Sequence, residues 1–478
     1  MKQFQAIKLL ILLFLLAIPS QSNSFTDLMR EYQSFEQLIT NDSPQIYLND
    51  IDECAFALES VPTRSPKKNW TFIVYMASDN DLRAFAANNI RQMAAVGSNE
   101  NVNIVAHLDI RLNGNKKVTR RYYIEKNKLN QMNHEPETQN MDSGDPKTLI
   151  SCCEWAIENF PAEHYALIFW NHGTGVIDPK SNRIINPAEL FSFNSRTNTL
   201  ELDRSVGFLD FLQFADQEQR GICWDNTTGH YLTNQNVDTA LNYICTNVLK
   251  KKFSLIGFDA CLMSMIEIAQ QLRNYSEVMV GSQEVELGTG WNYSYVLQPL
   301  LTEQYGPFDL AKQIIRSYTR TYQDITHDFT QSAIDLRKSE HIEKNIDSVA
   351  RLLLEAIRHQ HKNSVVQAIK ISRSRKHCTH FDEPSYIDLY HFYSNLQSRI
   401  GRCSVSRAAR ALLQKISDEI TQGKQLISNV VFSNTCGKNL KQAQGLSIYF
   451  PEHRIHPSYE ETQFAKSNAW YRLIQVCK

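Results

Sequence analysis

The sequence predicts an α/β protein with a mostly parallel sheet, because two patterns alternate along it. Short apolar runs rich in β-branched and aromatic residues are typical of strands that are buried on both faces. Between these runs, apolar residues recur at the three- and four-residue spacing of a helix, for example at 82–93. Strands that alternate with helices form parallel sheets with helices on both faces.

The predicted elements follow one another in order from residue 71 to residue 272. Strand signals lie at 71–76, 102–108, 120–124, 165–170 and 253–258. Helix signals lie at 82–93, 146–159, 233–248 and 265–272. Local signals support several of these boundaries. Gly97 ends the first helix, and a Leu-Asn-Gly-Asn turn at 112–115 separates two strands. Pro146 stands at the first position of the helix at 146–159, which proline favours.

Two segments depart from this regularity and set the predicted domain boundaries. A long polar insertion at 176–221 far exceeds the usual length of a connection between elements. From about residue 300 the chain becomes more helical, with further strands predicted at 430–432 and 446–450. We therefore predict an α/β domain at 66–300 and a separate mixed α+β C-terminal domain at 301–478.

The N-terminal segment of the sequence predicts a signal for export, followed by an extension. Lys2 and Lys8 precede an apolar run at 9–18, and small and polar residues follow it. About ten apolar residues are too few to cross a bilayer, which needs roughly 20, so residues 1–24 fit a cleaved signal peptide; a buried N-terminal helix is the alternative. Residues 25–65 are predicted to be a propeptide or an N-terminal extension. The expected location is secreted or periplasmic.

Composition and charge limit the possible function classes. With 42% hydrophobic residues the chain can bury a large core, and its net charge of −1 argues against a nucleic-acid partner. Ten cysteines in 478 residues are too sparse for a disulfide scaffold, and their pairing cannot be read from their spacing. No later stretch is long and apolar enough to suggest a membrane span in the mature chain.

Reactive side chains follow two of the predicted strands. His172 comes directly after the strand at 165–170, and Cys261 follows the strand at 253–258. Functional groups of α/β sheets collect beyond the carboxyl ends of the strands, and neighbouring strands lie about 4.8 Å apart, so the two side chains can face each other. A cysteine beside a histidine is the arrangement for nucleophilic acyl transfer. A buried structural cysteine and an ordinary loop histidine are the alternatives.

The motifs around these two residues resemble a known family. Asn-His-Gly at 171–173 and Asp-Ala-Cys-Leu-Met at 259–263 are similar to the paired motifs of clostripain-like peptidases, which belong with caspases, legumains, gingipains and separases. Further similar segments lie in order at 70–82, 281–291, 386–390 and 445–451, so the resemblance covers about residues 68–475. It implies a caspase-like α/β/α sandwich in which 66–300 is the catalytic domain.

The resemblance implies a cysteine endopeptidase mechanism. Cys261 attacks the scissile carbonyl as a thiolate, and His172 either takes the thiol proton or protonates the departing amine. The backbone N–H groups of Gly173 and Cys261 are expected to hold the oxyanion, where one donor contributes roughly 3 kcal/mol. A helix expected to begin near Ser264 would lower the pKa of Cys261. The resemblance requires no third catalytic residue, and we assign none from the sequence.

The resemblance also indicates a pocket for a basic side chain. Asp259 matches the family's acidic residue two before the nucleophile, which implies cleavage after Arg or Lys; a helix cap or turn carboxylate is the alternative. Some relatives carry a second acid where this chain has Thr289, and Glu284 or Glu286 could supply that charge or could be solvated loop residues. Arg is preferred over Lys, because a guanidinium pairs with a carboxylate through two hydrogen bonds.

The insertion at 176–221 is a candidate segment for self-processing. Family members are often activated by a cut between the histidine and cysteine motifs, and an uncut surface loop is the alternative. The candidate basic residues in the insertion are Lys180, Arg183, Arg196, Arg204 and Arg220.

No cofactor is expected for this chemistry. The residues at 377–380 lack the second ligand pair of a zinc site, those at 79–81 lack a full calcium loop, and no phosphate-binding glycine loop follows the first strand. The resemblance alone leaves calcium as a candidate. The expected partners are protein or peptide substrates. Two rival functions remain: a catalytically silent binding module or adhesin, and an amidase or transpeptidase that uses the same Cys–His pair.

Overall fold

The computed structural model describes residues 66–112, 116–177, 190–204, 221–358, 362–402 and 407–478. The predicted signal peptide at 1–24 and the predicted propeptide or extension at 25–65 lie outside the described residues. The described residues belong to one compact unit.

Fifteen strands occur in the described residues. They are β1 (Lys68–Ser78), β2 (Val102–Arg111), β3 (Lys117–Glu125), β4 (Lys128–Gln131), β5 (Ala162–Trp170), β6 (Phe191–Asn194), β7 (Thr199–Leu202), β8 (Ile222–Asp225), β9 (His230–Leu232), β10 (Phe253–Asp259), β11 (Ser276–Gly281), β12 (Thr330–Asp335), β13 (Tyr386–Asp388), β14 (Val431–Cys436) and β15 (Ser447–Tyr449).

Nine of these strands form one sheet in the order β14-β12-β11-β10-β5-β1-β2-β3-β4. The five central strands, from β11 to β2, are mutually parallel. Antiparallel strands extend both edges, with β3 and β4 on one side and β12 and β14 on the other. The predicted α/β class with a mostly parallel sheet is confirmed.

Thirteen helices accompany the sheet in the described residues. They are α1 (Arg83–Val96), α2 (Pro146–Asn159), α3 (Asn234–Tyr243), α4 (Ile266–Leu272), α5 (Tyr293–Leu297), α6 (Pro307–Tyr322), α7 (Ser339–Ala356), α8 (Lys362–Arg373), α9 (Leu389–Ile400), α10 (Arg407–Val430), α11 (Pro457–Glu460), α12 (Gln463–Ser467) and α13 (Trp470–Cys477). Helix α1 packs on α5 and α5 on α6, whereas α2 packs on α3 and α7 on α10.

Local sequence explains where several elements begin and end. Helix α2 has Pro146 at its first position, and the carboxylate of Asp145 accepts a hydrogen bond from the N–H of Lys147. Every residue of β10 is buried, as expected for a mostly apolar strand that is covered on both faces. The helix predicted at 233–248 is α-helical only as far as Tyr243 and continues as a π-helical segment, Ile244–Val248.

The C-terminal region differs from the predicted separate domain at 301–478. Strands β12 and β14 both lie in that region, yet they hydrogen-bond into the same sheet as β11. The N–H of Ser447 in β15 also donates to the carbonyl of Ser264, close to Cys261. The sheet therefore continues across the predicted boundary at residue 300. The sequence could not show this, because strand pairing between distant segments leaves no mark in the local pattern of either segment.

The described part of the insertion forms a hairpin of β6 and β7, here called the insertion hairpin (residues 190–204). The N–H of Leu200 donates to the carbonyl of Ile325 at 2.7 Å, and the N–H of Leu202 donates to Asp328 Oδ2 at 3.3 Å. These bonds fix the hairpin to the loop that precedes β12. Within the part of the chain that the structure covers, no helix has the length and apolar character of a membrane span.

Candidate active site

His172 and Cys261 lie at equivalent positions on adjacent parallel strands. In the register of β5 and β10, Trp170 pairs with Asp259. His172 and Cys261 each follow these paired residues by two positions, so the two chains leave the sheet side by side. Both side chains line one pocket, which encloses about 460 Å³ of empty space including its mouth. The sheet therefore places an imidazole and a thiol in the same groove.

Cys261 lines this pocket, but its thiol is buried. Cys261 is 6% exposed, and its Sγ accepts a hydrogen bond from the N–H of Glu286 at 3.3 Å. Burial raises the pKa of the Cys261 thiol well above its ordinary value; the Glu286 N–H opposes this shift, and nearby carboxylates, among them Glu284, add to it. The prediction that a helix near Ser264 lowers the pKa of Cys261 is therefore corrected. Helix α4 begins only at Ile266, and desolvation of the thiol raises the pKa.

A strained residue follows the nucleophile candidate. Leu262 has a φ of 62°, in the left-handed region that side chains with a Cβ seldom adopt, and it is fully buried. Such a conformation costs on the order of 1–3 kcal/mol and persists where the surroundings hold it. Here the N–H of Leu262 donates to the carbonyl of Glu284 at 3.2 Å. The turn reverses the chain directly after Cys261.

An aspartate that sequence reasoning did not select holds the histidine. His172 Nε2 lies 2.8 Å from Asp81 Oδ1, and the imidazole meets the ring of Trp224 edge-on at 6.4 Å between centroids. Asp81 follows β1, which is the neighbour of β5 in the sheet. The signal that could have found Asp81 is its place at a third adjacent strand end.

The neighbours of His172 fix its loop to the sheet. The side-chain amide of Asn171 donates to the carbonyl of Ala77 at 2.5 Å, and its Oδ1 accepts from the N–H of Trp224 at 3.1 Å. A Cβ on Gly173 would lie 2.4 Å from the carbonyl oxygen of Cys261. Only glycine permits this approach of the two loops. That the N–H groups of Gly173 and Cys261 hold an oxyanion stays a prediction.

Asp259 lines the pocket as a buried carboxyl. Its Oδ1 accepts from the N–H of Trp291 at 3.0 Å, and its Oδ2 accepts from the hydroxyl of Tyr293 at 2.8 Å. Burial raises the pKa of Asp259 to about 7. A Cβ on Gly290 would lie 2.6 Å from Oδ1, so the glycine loop covers this carboxyl closely.

The two other predicted substrate-binding residues lie outside the pocket lining. The carboxylate of Glu284 is fully buried, where it accepts from the N–H of Asp382 at 2.9 Å and from Arg204 Nη2 at 2.8 Å. Thr289 Oγ1 hydrogen-bonds the hydroxyl of Tyr322 at 2.8 Å. Glu286, which the sequence left as an alternative, does line the pocket.

The insertion hairpin contributes the apolar side chains Leu190 and Phe191 to the pocket that holds His172 and Cys261. Of the basic candidates for processing, Arg196 lies exposed in the turn of the hairpin, and Arg204 pairs with Glu284 and Asp328. Lys180, Arg183 and Arg220 lie outside the described residues. The hairpin therefore forms one side of the pocket.

Metal ligands do not assemble in the described ranges, where no three His, Cys, Asp or Glu side chains are placed to hold an ion. At the candidate 377–380 segment, His380 uses both ring nitrogens on the carbonyls of Arg373 and Pro384. The eight cysteines that the structure describes all carry free thiols.

Comparison with known proteins gives concordant matches. The sequence model of the clostripain family matches residues 74–203 and 210–478. Clostripain of Hathewaya histolytica is 25% identical over 505 aligned positions, which cover 91% of this chain and 87% of that protein.

Two solved structures share the fold. One is a secreted C11 cysteine protease from Bacteroides thetaiotaomicron in complex with an irreversible peptide inhibitor, with a TM-score of 0.56, 17% identity, and coverage of 84% of this chain and 99% of that one. The other is an inactive zymogen C11 protease from Parabacteroides distasonis, with a TM-score of 0.55, 17% identity, and coverage of 86% and 99%.

Proposed function

The chain belongs to the clostripain family of cysteine peptidases, and from this premise we propose that it is an endopeptidase in which Cys261 is the nucleophile and His172 transfers the protons. The observation that carries this assignment is the pairing of Trp170 with Asp259, which brings the two reactive side chains to one pocket from adjacent strands. Protein or peptide substrates follow from the family. The chemistry of a cysteine peptidase needs no cofactor.

The proposed reaction proceeds through a thioester. Cys261 gives its proton to His172 as the sulfur bonds to the scissile carbonyl carbon. The C–N bond then breaks, and the leaving amine takes the proton from His172. Water attacks the thioester, releases the acid and restores the thiol. The N–H groups of Gly173 and Cys261 are the proposed donors to the oxyanion, each contributing about 3 kcal/mol to the stability of the transition state.

Asp81 would orient His172 during these proton transfers. Its contact with Nε2 holds the imidazole ring in one orientation. An aspartate in this role also stabilises the imidazolium form of the ring.

The preferred substrate would have a basic residue, Arg rather than Lys, before the cleaved bond. Asp259 supports this proposal, because it is the acidic residue two positions before the nucleophile and it lines the pocket beside Cys261. A guanidinium that reaches this carboxylate can donate two parallel hydrogen bonds to it, which an ammonium cannot do.

The intact chain would be a precursor that cuts itself within residues 176–221. Support comes from the insertion hairpin, whose Leu190 and Phe191 stand at the pocket, and from the buried thiol with its raised pKa. The relative from Parabacteroides distasonis, described as an inactive zymogen, is consistent with such a precursor. Of the two described candidates, the exposed Arg196 is more accessible to a peptidase than Arg204, which is held by two carboxylates.

Secretion is proposed from the N-terminal sequence and from the secreted relative of Bacteroides thetaiotaomicron. A dependence on calcium stays a proposal without a site. The donor sets in the described residues do not fit a calcium ion, which takes six to eight oxygen ligands. No step of the proposed reaction passes through a metal.

Fluorogenic peptides test the proposed activity. The purified chain should cleave peptides with Arg before the reporter group, and Cys261→Ala should abolish this cleavage. Cys245→Ala is the matched control, since this partly exposed thiol lies in the segment after α3, away from the pocket, and its loss should leave the rate unchanged. A chain that folds and binds such peptides without cleaving them would instead be a binding module.

A further inference from the structure

Two buried carboxyls from different segments line the pocket beside Cys261. Asp259 ends β10, and Glu286 lies in the loop that follows β11. The two residues are 5% and 7% exposed, so neither carboxyl is a solvated surface charge. Buried carboxyls are rarely left together unless a cation or a shared proton balances them.

The carboxyl of Glu286 is only partly satisfied by its neighbours. Its Oε1 accepts from the side-chain amide of Gln331 at 3.2 Å. Its Oε2 is buried and accepts no hydrogen bond from a donor within the described residues. An unsatisfied buried oxygen is costly, which makes it a site that a ligand donor can complete.

The charges of the two carboxyls disfavour each other. Burial first, and then the charge of Asp259, raise the pKa of Glu286 well above its ordinary value. Burial raises the pKa of Asp259 to about 7. Ionisation of both carboxyls together is therefore unfavourable unless a cation lies between them.

We propose that Glu286 is a second specificity-determining carboxylate, which binds the guanidinium of the substrate's arginine together with Asp259. The inference rests on the proposed function, because it completes the basic pocket assigned there. It also accounts for Thr289, which stands where some relatives carry an acid and instead bonds to Tyr322 outside the pocket.

The test compares peptides that end in Arg with the same peptides that end in citrulline, whose ureido group has the shape of a guanidinium without its charge. In Glu286→Gln, the ratio of kcat/KM for Arg to kcat/KM for citrulline should fall about tenfold or more, the effect of losing one charge-assisted hydrogen bond. Glu286→Asp, which keeps the charge, should retain more of the ratio.

Glu267→Gln is the matched control. Glu267 is also a buried glutamate with an unsatisfied Oε2 and a pKa raised by burial, but it lies in α4 outside the pocket lining. This substitution should leave the Arg-to-citrulline ratio unchanged. Thermal unfolding of all three variants separates a loss of preference from a loss of folding.

The dependence of the same ratio on pH is a second readout. Because a proton on the carboxyl pair competes with the guanidinium, the ratio in the unsubstituted enzyme should rise as the pH increases through 7. The other titratable groups that face the pair are the hydroxyls of Tyr293 and Tyr318, whose pKa values are raised by burial, and the thiol of Cys261. Titration of the Cys261 thiol affects both substrates equally and cancels in the ratio.

The outcomes separate this inference from the function on which it rests. Cleavage after Arg with a ratio that Glu286→Gln leaves unchanged would overturn the role of Glu286 and leave the proposed function standing. Failure of the unsubstituted enzyme to cleave after Arg or Lys would overturn both. If Glu286→Gln does not fold, a ratio that stays flat between pH 6 and pH 8 in the unsubstituted enzyme would overturn the inference.

Discussion

At the scale of single residues, the proposed reacting pair is His172 and Cys261; Asp81 contacts the imidazole, and Glu286 lines the same pocket. His172 and Cys261 could be selected because each follows a recognisable strand at the same distance from its end. Asp81 could not be selected, and Glu286 could be named only as an alternative to Glu284, because the position of each carboxyl depends on tertiary contacts: Asp81 reaches His172, and Glu286 reaches the pocket. Side-chain direction in a loop is set by tertiary contacts and leaves no periodic pattern in the sequence.

Replacement of Asp81 by Asn should reduce catalysis without unfolding the protein. The amide can still contact His172 but no longer stabilises the imidazolium, so kcat should fall at least about tenfold and its pH dependence should shift. Steady-state kinetics across pH 5–9 give the measurement. The control is Asp142→Asn, which alters another His–Asp contact, that with the exposed His230. Equal activity of Asp81→Asn and the unsubstituted enzyme at every pH would remove Asp81 from the mechanism.

Glu267 should make the stability of the protein depend on pH. Burial raises the pKa of this carboxyl from 4.5 to about 7. A carboxyl whose pKa is raised by folding costs no stability at a pH where it is protonated in both the folded and the unfolded protein. The cost grows as the pH rises from about 4 to 7, because the unfolded protein loses this proton before the folded protein does. Glu267→Gln removes this cost, so it should increase the free energy of unfolding by up to about 3 kcal/mol at pH 8 and by little at pH 4.

Urea unfolding at the two pH values checks this prediction. An increase of the same size at pH 4 and pH 8 would mean that the pKa of Glu267 is the same in the folded and unfolded protein.

At the scale of elements, the sequence located the central strands and the helices with strong local signals. The bounds of α2 agree with the prediction because Asp145 and Pro146 mark its start chemically. The edges of strands were less predictable: β1 extends from Lys68 to Ser78, beyond the apolar run at 71–76. Backbone pairing with neighbouring strands continues there, although the side chains no longer carry an apolar signal.

The insertion hairpin should be held in place by Arg204. Its guanidinium pairs with Glu284 and Asp328, and both of these carboxylates are buried. Arg204→Ala leaves them without this cation, so the hairpin should detach more readily and self-cleavage within 176–221 should become several-fold faster. The measurement is the rate at which two fragments appear on a denaturing gel.

The matched control for this experiment is Arg351→Ala, which removes an arginine paired with Asp347 on the exposed face of α7. It should mature at the unsubstituted rate. If Arg204→Ala matures no faster, Arg204 does not restrain the hairpin; if it fails to mature at all, Arg204 is itself the cleaved residue.

At the scale of the whole molecule, the sequence predicted the α/β class but divided the chain too early. Alternation of strands and helices is a local property, and it indicated the parallel centre of the sheet. The addition of β12 and β14 to that sheet depends on pairing with β11 and with each other across long sequence separations. Nothing in the composition of the region after residue 300 marks those partners.

A chain that ends at residue 300 should therefore not fold. It would expose the edge of β11, where β12 normally pairs, and would lose the helices α6 and α7. We expect fragment 66–300 to be insoluble or molten by circular dichroism, and residues 66–478 to unfold in one cooperative transition. A soluble fragment 66–300 with native-like near-ultraviolet signal would restore the predicted boundary between two domains.

The most direct test of the central claim is labelling with a peptidyl electrophile that carries Arg at the position of the cleaved residue. The mature enzyme should take up one equivalent, and peptide mapping should place the label on Cys261, with no uptake in Cys261→Ala. Labelling of any other cysteine, or undiminished labelling of Cys261→Ala, would contradict the assignment of Cys261 as the nucleophile beside His172.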